Sequence, residues 1–417
     1  MSLSAFATIP PNIPGCPVPF SLHIPHHEIH TLTTLVHHAR IAVPSFYNTN
    51  ADPVTGTFGV SADWLASAQQ TWTTSFSWRD TETYHNSFPN FRINVTVPSD
   101  GQVFDLHFAA LFSKNESAIP ITFLHGWPGS WLEFAGVLEL LAEKYTPETL
   151  PYHVVVPSIP DYGLSTRSEE LTKELTMEGA SEALNALMVA LGFDAYVVQG
   201  GDVGSFLSQT MCGLFDECKA FHLNMLFLTP EQTAAVANIS LTPEEEERLE
   251  VVKAWAETGA AYAIEHATRP STVSLVLNTN PLGMLAWMGE KFIEWSDNRN
   301  SQPLSLDTIL SMVSFYWFTD SYSRALWAYR ALIKVIGGPL PPMPMSKTKP
   351  FGFSAFPVEI ATVTRSWAEY LFPNLVFYGP QEKGGHFAAL QEPEAFLEDI
   401  EKFLAIVGPS VVSSKKR

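Results

Sequence analysis

Short runs of β-branched and aromatic residues, separated by stretches of helical periodicity, restrict this chain to very few architectures. Extended runs occupy residues 91–97, 103–112, 119–126, 152–159, 195–201, 221–228 and 374–379. Most of the later ones are separated by helical stretches such as residues 177–192, with apolar side chains three and four apart. Parallel strands need a long crossover where antiparallel ones need only a tight turn. The alternation therefore predicts an α/β fold: a mostly parallel sheet covered by helices on both faces.

Two segments depart from that pattern. Residues 20–90 are rich in aromatics and histidines, with helices expected in "HHEIHTLTTLVHHAR" and "WLASAQQTWTTSFSW". From residue 229 to 345 the strand signal stops. There "LTPEEEERLE" places Thr242 as N-cap, Pro243 at the first helical position and Glu245 closing a capping box. The glutamates at 244–247 read as a solvated first turn favoured by the helix dipole, not as a metal site. The expected organisation is an N-terminal extension (1–90), a first core part (91–228), a helical insertion (229–345) and a second core part (346–417).

Bulk properties exclude several functions. A formal charge of −19, from 43 acidic against 24 basic residues, repels phosphate backbones and anionic lipid. The basic run Lys415, Lys416 and Arg417 is short, so no nucleic-acid partner is expected. No stretch keeps about 18 apolar residues, as a membrane span requires, and the N-terminus does not read as a signal peptide. Cys16, Cys212 and Cys218 contain no CxxC pair, which argues against a disulfide framework and for a reducing compartment. A soluble, cytoplasmic protein follows, and the sequons at Asn94, Asn115 and Asn238 are read as coincidental.

Chemistry concentrates in three places. In "VVQGGDVGSF" a strand runs into Gly200-Gly201-Asp202-Val203-Gly204, with small residues on both sides of an acidic one. That is the geometric requirement of a nucleophile elbow, a strained strand-to-helix turn that lifts one side chain clear of the sheet. An ordinary βα loop with a helix-capping aspartate reads the same way. "FLHGWPGSW" follows the strand at 119–123 and leaves the Trp127 backbone N–H free to join that of Val203 as an oxyanion hole. His386, in "GGHFAAL", falls after the last strand, where a triad histidine stands in the chain order nucleophile, acid, histidine. Most other histidines are expected to be structural. "HEIH" is one residue short of the HExxH zinc motif, so no metal site is assigned to it.

With "PFSLHIP", "FSWRDTETYHNSFPNF", "AYAIEHATRP" and "FGFSAFPVEI", these motifs make nearly the whole chain resemble an epoxide hydrolase of the α/β-hydrolase superfamily, of the microsomal-type branch with an extra N-terminal region. The resemblance implies Asp202 as nucleophile, His386 as general base and Glu359 as its orienting acid. Without it, Glu369 and Glu382 are equal candidates for the acid. It further implies that the insertion is a lid supplying two phenols, Tyr262 and Tyr329, with Tyr316 and Tyr322 as rivals for the second. The partners implied are an apolar epoxide, aryl epoxides included, and water, with no metal or organic cofactor; a homodimer stays open. No membrane anchor like that of the mammalian microsomal members is expected. Two residues depart from the family pattern: Val203, where tryptophan is frequent, and Asp161 in "PDYGLS", where glycine is usual and the sequence offers no account. Haloalkane dehalogenases, intramolecular epoxide-opening cyclases and a non-catalytic binding protein remain the alternatives on such a scaffold.

Overall fold

The computed structural model describes residues 2–11, 13–168, 171–299, 301–332 and 343–414; the basic run at 415–417 lies outside them. Among the described residues ten strands build one sheet: β1 Val18–Pro19, β2 Asn90–Thr96, β3 Val103–Leu111, β4 Ile119–Leu124, β5 Tyr152–Pro157, β6 Thr166–Arg167, β7 Tyr196–Gly200, β8 Cys218–Leu223, β9 Phe351–Ala355 and β10 Leu375–Pro380. Their order is β1-β2-β3-β5-β4-β7-β8-β9-β10, with β6 paired to β3. Pairing is antiparallel from β1 to β5 and parallel from β5 through β10. The parallel strands read as continuous apolar runs because helices cover both faces, and β5 and β7 are buried along their whole length.

Strand β9 carries no run legible in the sequence. Gly352 and Ser354 interrupt it because a Cβ at Gly352 would stand 2.7 Å from Phe403 and 2.8 Å from His222. Phe403 belongs to the helix Pro393–Ser414, so close packing of helix on sheet removes the side chain that would have marked a strand.

Helices fill the chain from Pro230 to Leu332. The capping box at Thr242 forms as expected: its side chain accepts from Glu245 N–H, and the Glu245 carboxylate accepts from Thr242 N–H. Among the described residues no helix is long and apolar enough to cross a membrane.

One expectation needs correction. Cys212 and Cys218 form a disulfide, with Cα atoms 5.1 Å apart. The helix Asp202–Leu214 ends just before β8 begins, so the turn between them brings the two sulfurs together. A count of three cysteines without a CxxC pair does not reveal this proximity.

Candidate active site

Strand β7 ends at Gly200 and the next helix begins at Asp202, which has a φ of 45°, a left-handed conformation uncommon for a residue with a side chain. Only small flanking residues allow the turn. A Cβ at Gly204 would come 2.1 Å from the Leu124 carbonyl oxygen, and one at Gly200 would come 2.1 Å from that of Gly204. The strain is held by the buried ends of β4 and β7, which register Leu124 against Gly200.

The turn delivers the Asp202 carboxylate to a set of partners drawn from distant segments. Trp127 N–H donates to Oδ1 over 2.7 Å. His386 Nε2 stands 3.3 Å from Oδ2, and His386 Nδ1 stands 2.8 Å from Glu359 Oε1. The acid is itself fixed by the Ala361 N–H, which donates to Glu359 Oε1 over 3.3 Å. The His386 N–H donates to the Trp295 carbonyl over 2.9 Å, while the Trp295 ring meets the imidazole edge-on at 5.0 Å. Burial alone would lower the imidazole. Glu359 and Asp202 overcome it and push His386 up to about 10.

Asp202 also borders a cavity of about 350 Å³ lined by Val203, Phe206, Met225, Phe227, Tyr262 and Tyr329, among others. Both phenols are buried, and their rings meet at 5.7 Å in an edge-to-face arrangement. Burial, then the Asp202 carboxylate, pushes Tyr262 well above the usual tyrosine value; burial, then Tyr262 and Asp202, does the same for Tyr329. Both therefore keep their protons. The rivals are engaged elsewhere: Tyr316 donates to the Gly129 carbonyl over 2.8 Å, and the Tyr322 hydroxyl stands 2.8 Å from His266 Nε2.

Three comparisons bear on this constellation. Residues 17–134 match the family model described as the epoxide hydrolase N terminus, and residues 119–305 match that of the alpha/beta hydrolase fold. The Aspergillus niger epoxide hydrolase structure is 40% identical and superposes with a TM-score of 0.86, over 96% of this chain and 99% of that one. The chain belongs to the epoxide hydrolases. It is a hydrolase acting on ether bonds, with the α/β-hydrolase fold. A Dothistroma septosporum protein provisionally named an epoxide hydrolase is 40% identical over 405 residues, 97% of this chain and 93% of its own length. Epoxide hydrolase 1 of Sus scrofa is 28% identical over 84% of this chain and 81% of its own.

Within this epoxide hydrolase several contacts at the site have no sequence signal. The Trp127 ring stacks on Tyr262 at 5.2 Å, so one residue offers its backbone to Asp202 and its indole to a phenol. Trp295 bridges Tyr262, at 5.3 Å, and His386. Nothing in "FIEWSDN" marks it. The family departures also acquire places. Val203 lines the main cavity, so its size bears on that volume. Asp161 has a φ of 65°, which explains the usual glycine, and its Oδ2 accepts from Arg167 Nε over 2.7 Å in a buried ion pair.

Proposed function

We propose that this epoxide hydrolase converts an apolar epoxide and water into a vicinal diol through a covalent ester on Asp202. The observation that carries the reading is that Asp202 borders an apolar cavity also lined by Tyr262 and Tyr329, while Trp127 N–H and His386 hold its two oxygens. In this reading residues 229–345 are the lid that supplies the phenols.

An epoxide carbon is a strained electrophile that a carboxylate opens by displacement. One Asp202 oxygen bonds to that carbon, the carbon–oxygen bond of the ring breaks, and the departing oxygen takes a proton from a lid phenol. Formation of the ester removes the Asp202 charge, one of the two anions that raise His386. The phenolate takes a proton from solvent water, and the imidazolium, no longer held by the Asp202 charge, releases its own proton to solvent and becomes a base. Water gives a proton to His386 and adds to the Asp202 carbonyl carbon. The oxyanion that forms accepts from the Trp127 and Val203 N–H groups, each worth about 3 kcal/mol in comparable hydrolases. Collapse breaks the ester bond, the leaving diol oxygen takes its proton from His386, and the new Asp202 carboxyl returns the second water proton to the imidazole. Every proton is accounted for with no metal or organic cofactor.

A panel of aryl and alkyl epoxides, with diol measured for wild type and Asp202→Asn, tests this. Wild type should turn over the panel's apolar members and Asp202→Asn should lose at least about 10³-fold, the scale at which removal of a nucleophile is felt. Comparable diol formation by both proteins contradicts the proposal.

A further inference from the structure

Asp202 also lines a second, much smaller chamber of about 20 Å³, room for a single water molecule. The two chambers share Asp202 and no other lining residue. The larger has the phenols; the smaller has His386 and a second acid, Glu133. Asp202 is thus the partition between a compartment shaped for an apolar molecule and one shaped for water.

Glu133 reaches the chamber by a specific route. It sits on the single turn Trp131–Phe134, capped by Ser130, and its side chain folds back over Gly129. A Cβ at Gly129 would stand 1.4 Å from Glu133 Oε1, so only glycine leaves the acid its place. Apolar residues, Phe134, Phe387 and Phe396 among them, close the chamber around these polar groups. Burial, opposed by His386 and reinforced by Asp202, pushes the Glu133 carboxyl up to about 8. The polar neighbours have other duties: His125 Nε2 accepts from the Ile159 N–H and Asn224 Oδ1 from Gln199 Nε2.

We propose that Glu133 is the second holder of the hydrolytic water, which donates one hydrogen to His386 Nε2 and the other to a Glu133 carboxyl oxygen. A water with both hydrogens engaged presents its lone pair toward the Asp202 carbonyl carbon. The bond that forms is from water oxygen to that carbon, and the proton that leaves goes to His386. Glu133 orients the water and takes no proton. A half-buried acid among apolar side chains sits there at a cost to stability, which an orienting role accounts for.

The inference rests on the ester scheme above, so its test separates the two half-reactions. Rapid quench with styrene oxide follows formation and decay of the ester on the Asp202 peptide. Glu133→Leu keeps bulk and removes the polar atoms. It should leave ester formation within about threefold of wild type and slow ester decay by about tenfold, the effect of one lost hydrogen bond to the water. Glu133→Gln, which keeps a neutral carbonyl acceptor, should slow decay by less than Glu133→Leu. Decay in Glu133→Leu within threefold of wild type, or equal loss in both half-reactions, overturns the inference. Should Glu133→Leu fail to fold, a crystal structure of the wild type decides: a water within hydrogen-bond reach of both Glu133 and His386 Nε2 supports it, and its absence overturns it. If neither wild type nor His386→Gln forms any ester, the covalent scheme fails first and this inference with it.

Discussion

His386 sits between two carboxylates, 2.8 Å from Glu359 and 3.3 Å from Asp202, and this position decides both its charge and its timing. Its value rises from 6.5 to about 10 in the fold. A raised basic group adds stability that is complete below the unfolded value and is lost as the pH climbs through the folded one. The thermal unfolding temperature of wild type should therefore exceed that of His386→Gln most below about pH 6.5, with the gap closing towards pH 10. A gap constant across that window contradicts the charge assignment. The phenols give a second residue-scale prediction. Tyr262→Phe and Tyr329→Phe should each lower the rate of ester formation by about 10²-fold, the usual worth of a general acid, and leave ester decay nearly unchanged. Rapid quench separates the two rates; equal loss in both would assign the tyrosines to packing.

At the level of elements, the site depends on how tightly the ends of β4 and β7 meet the helix that follows Asp202. Gly204→Ala puts a methyl group against the carbonyls of Leu124 and His125, at 2.1 and 2.8 Å. Backbone cannot retreat as a flexible side chain can, so the variant should lose about 2–3 kcal/mol of stability and most of its turnover. Denaturant unfolding and a diol assay check it, and wild-type values in both would mean that the turn tolerates bulk. Legibility also varies by element. β4, β5 and β7 are evident from the sequence because burial on both faces demands β-branched residues throughout. β9 is not, since Gly352 and Ser354 yield to a packed helix. Asp202 is legible because its turn requires glycines at fixed offsets. Glu359 needs the family resemblance: it meets His386 from 27 residues away, after a strand that does not announce itself. Glu133 and Trp295 carry no pattern at all, because their roles arise from which side of Asp202 they reach in space.

Across the whole molecule, the N-terminal segment ties the sheet to the helical insertion near the site. Trp131 Nε1 donates to His85 Nε2 over 3.1 Å, and burial pushes that imidazole down to about 3, so it remains a neutral acceptor. The same His85 ring packs on Phe315, while the Thr81 and Ser311 hydroxyls pair at 2.8 Å. Trp131 belongs to the loop that also carries Trp127 and leads into Glu133, so this bracing keeps backbone donor and half-buried acid in register with Asp202. The composition predicts none of these cross-links; it predicts only that a chain of this length has core enough to hold them. What the assembled molecule does is most directly read from the origin of an oxygen atom. In a single turnover in ¹⁸O-water with enzyme in excess, the covalent scheme predicts an unlabelled diol, its new oxygen drawn from Asp202, and ¹⁸O in the Asp202 peptide by mass spectrometry. Label in the diol on the first turnover, with none on Asp202, would mean that water attacks the epoxide directly and that no ester forms.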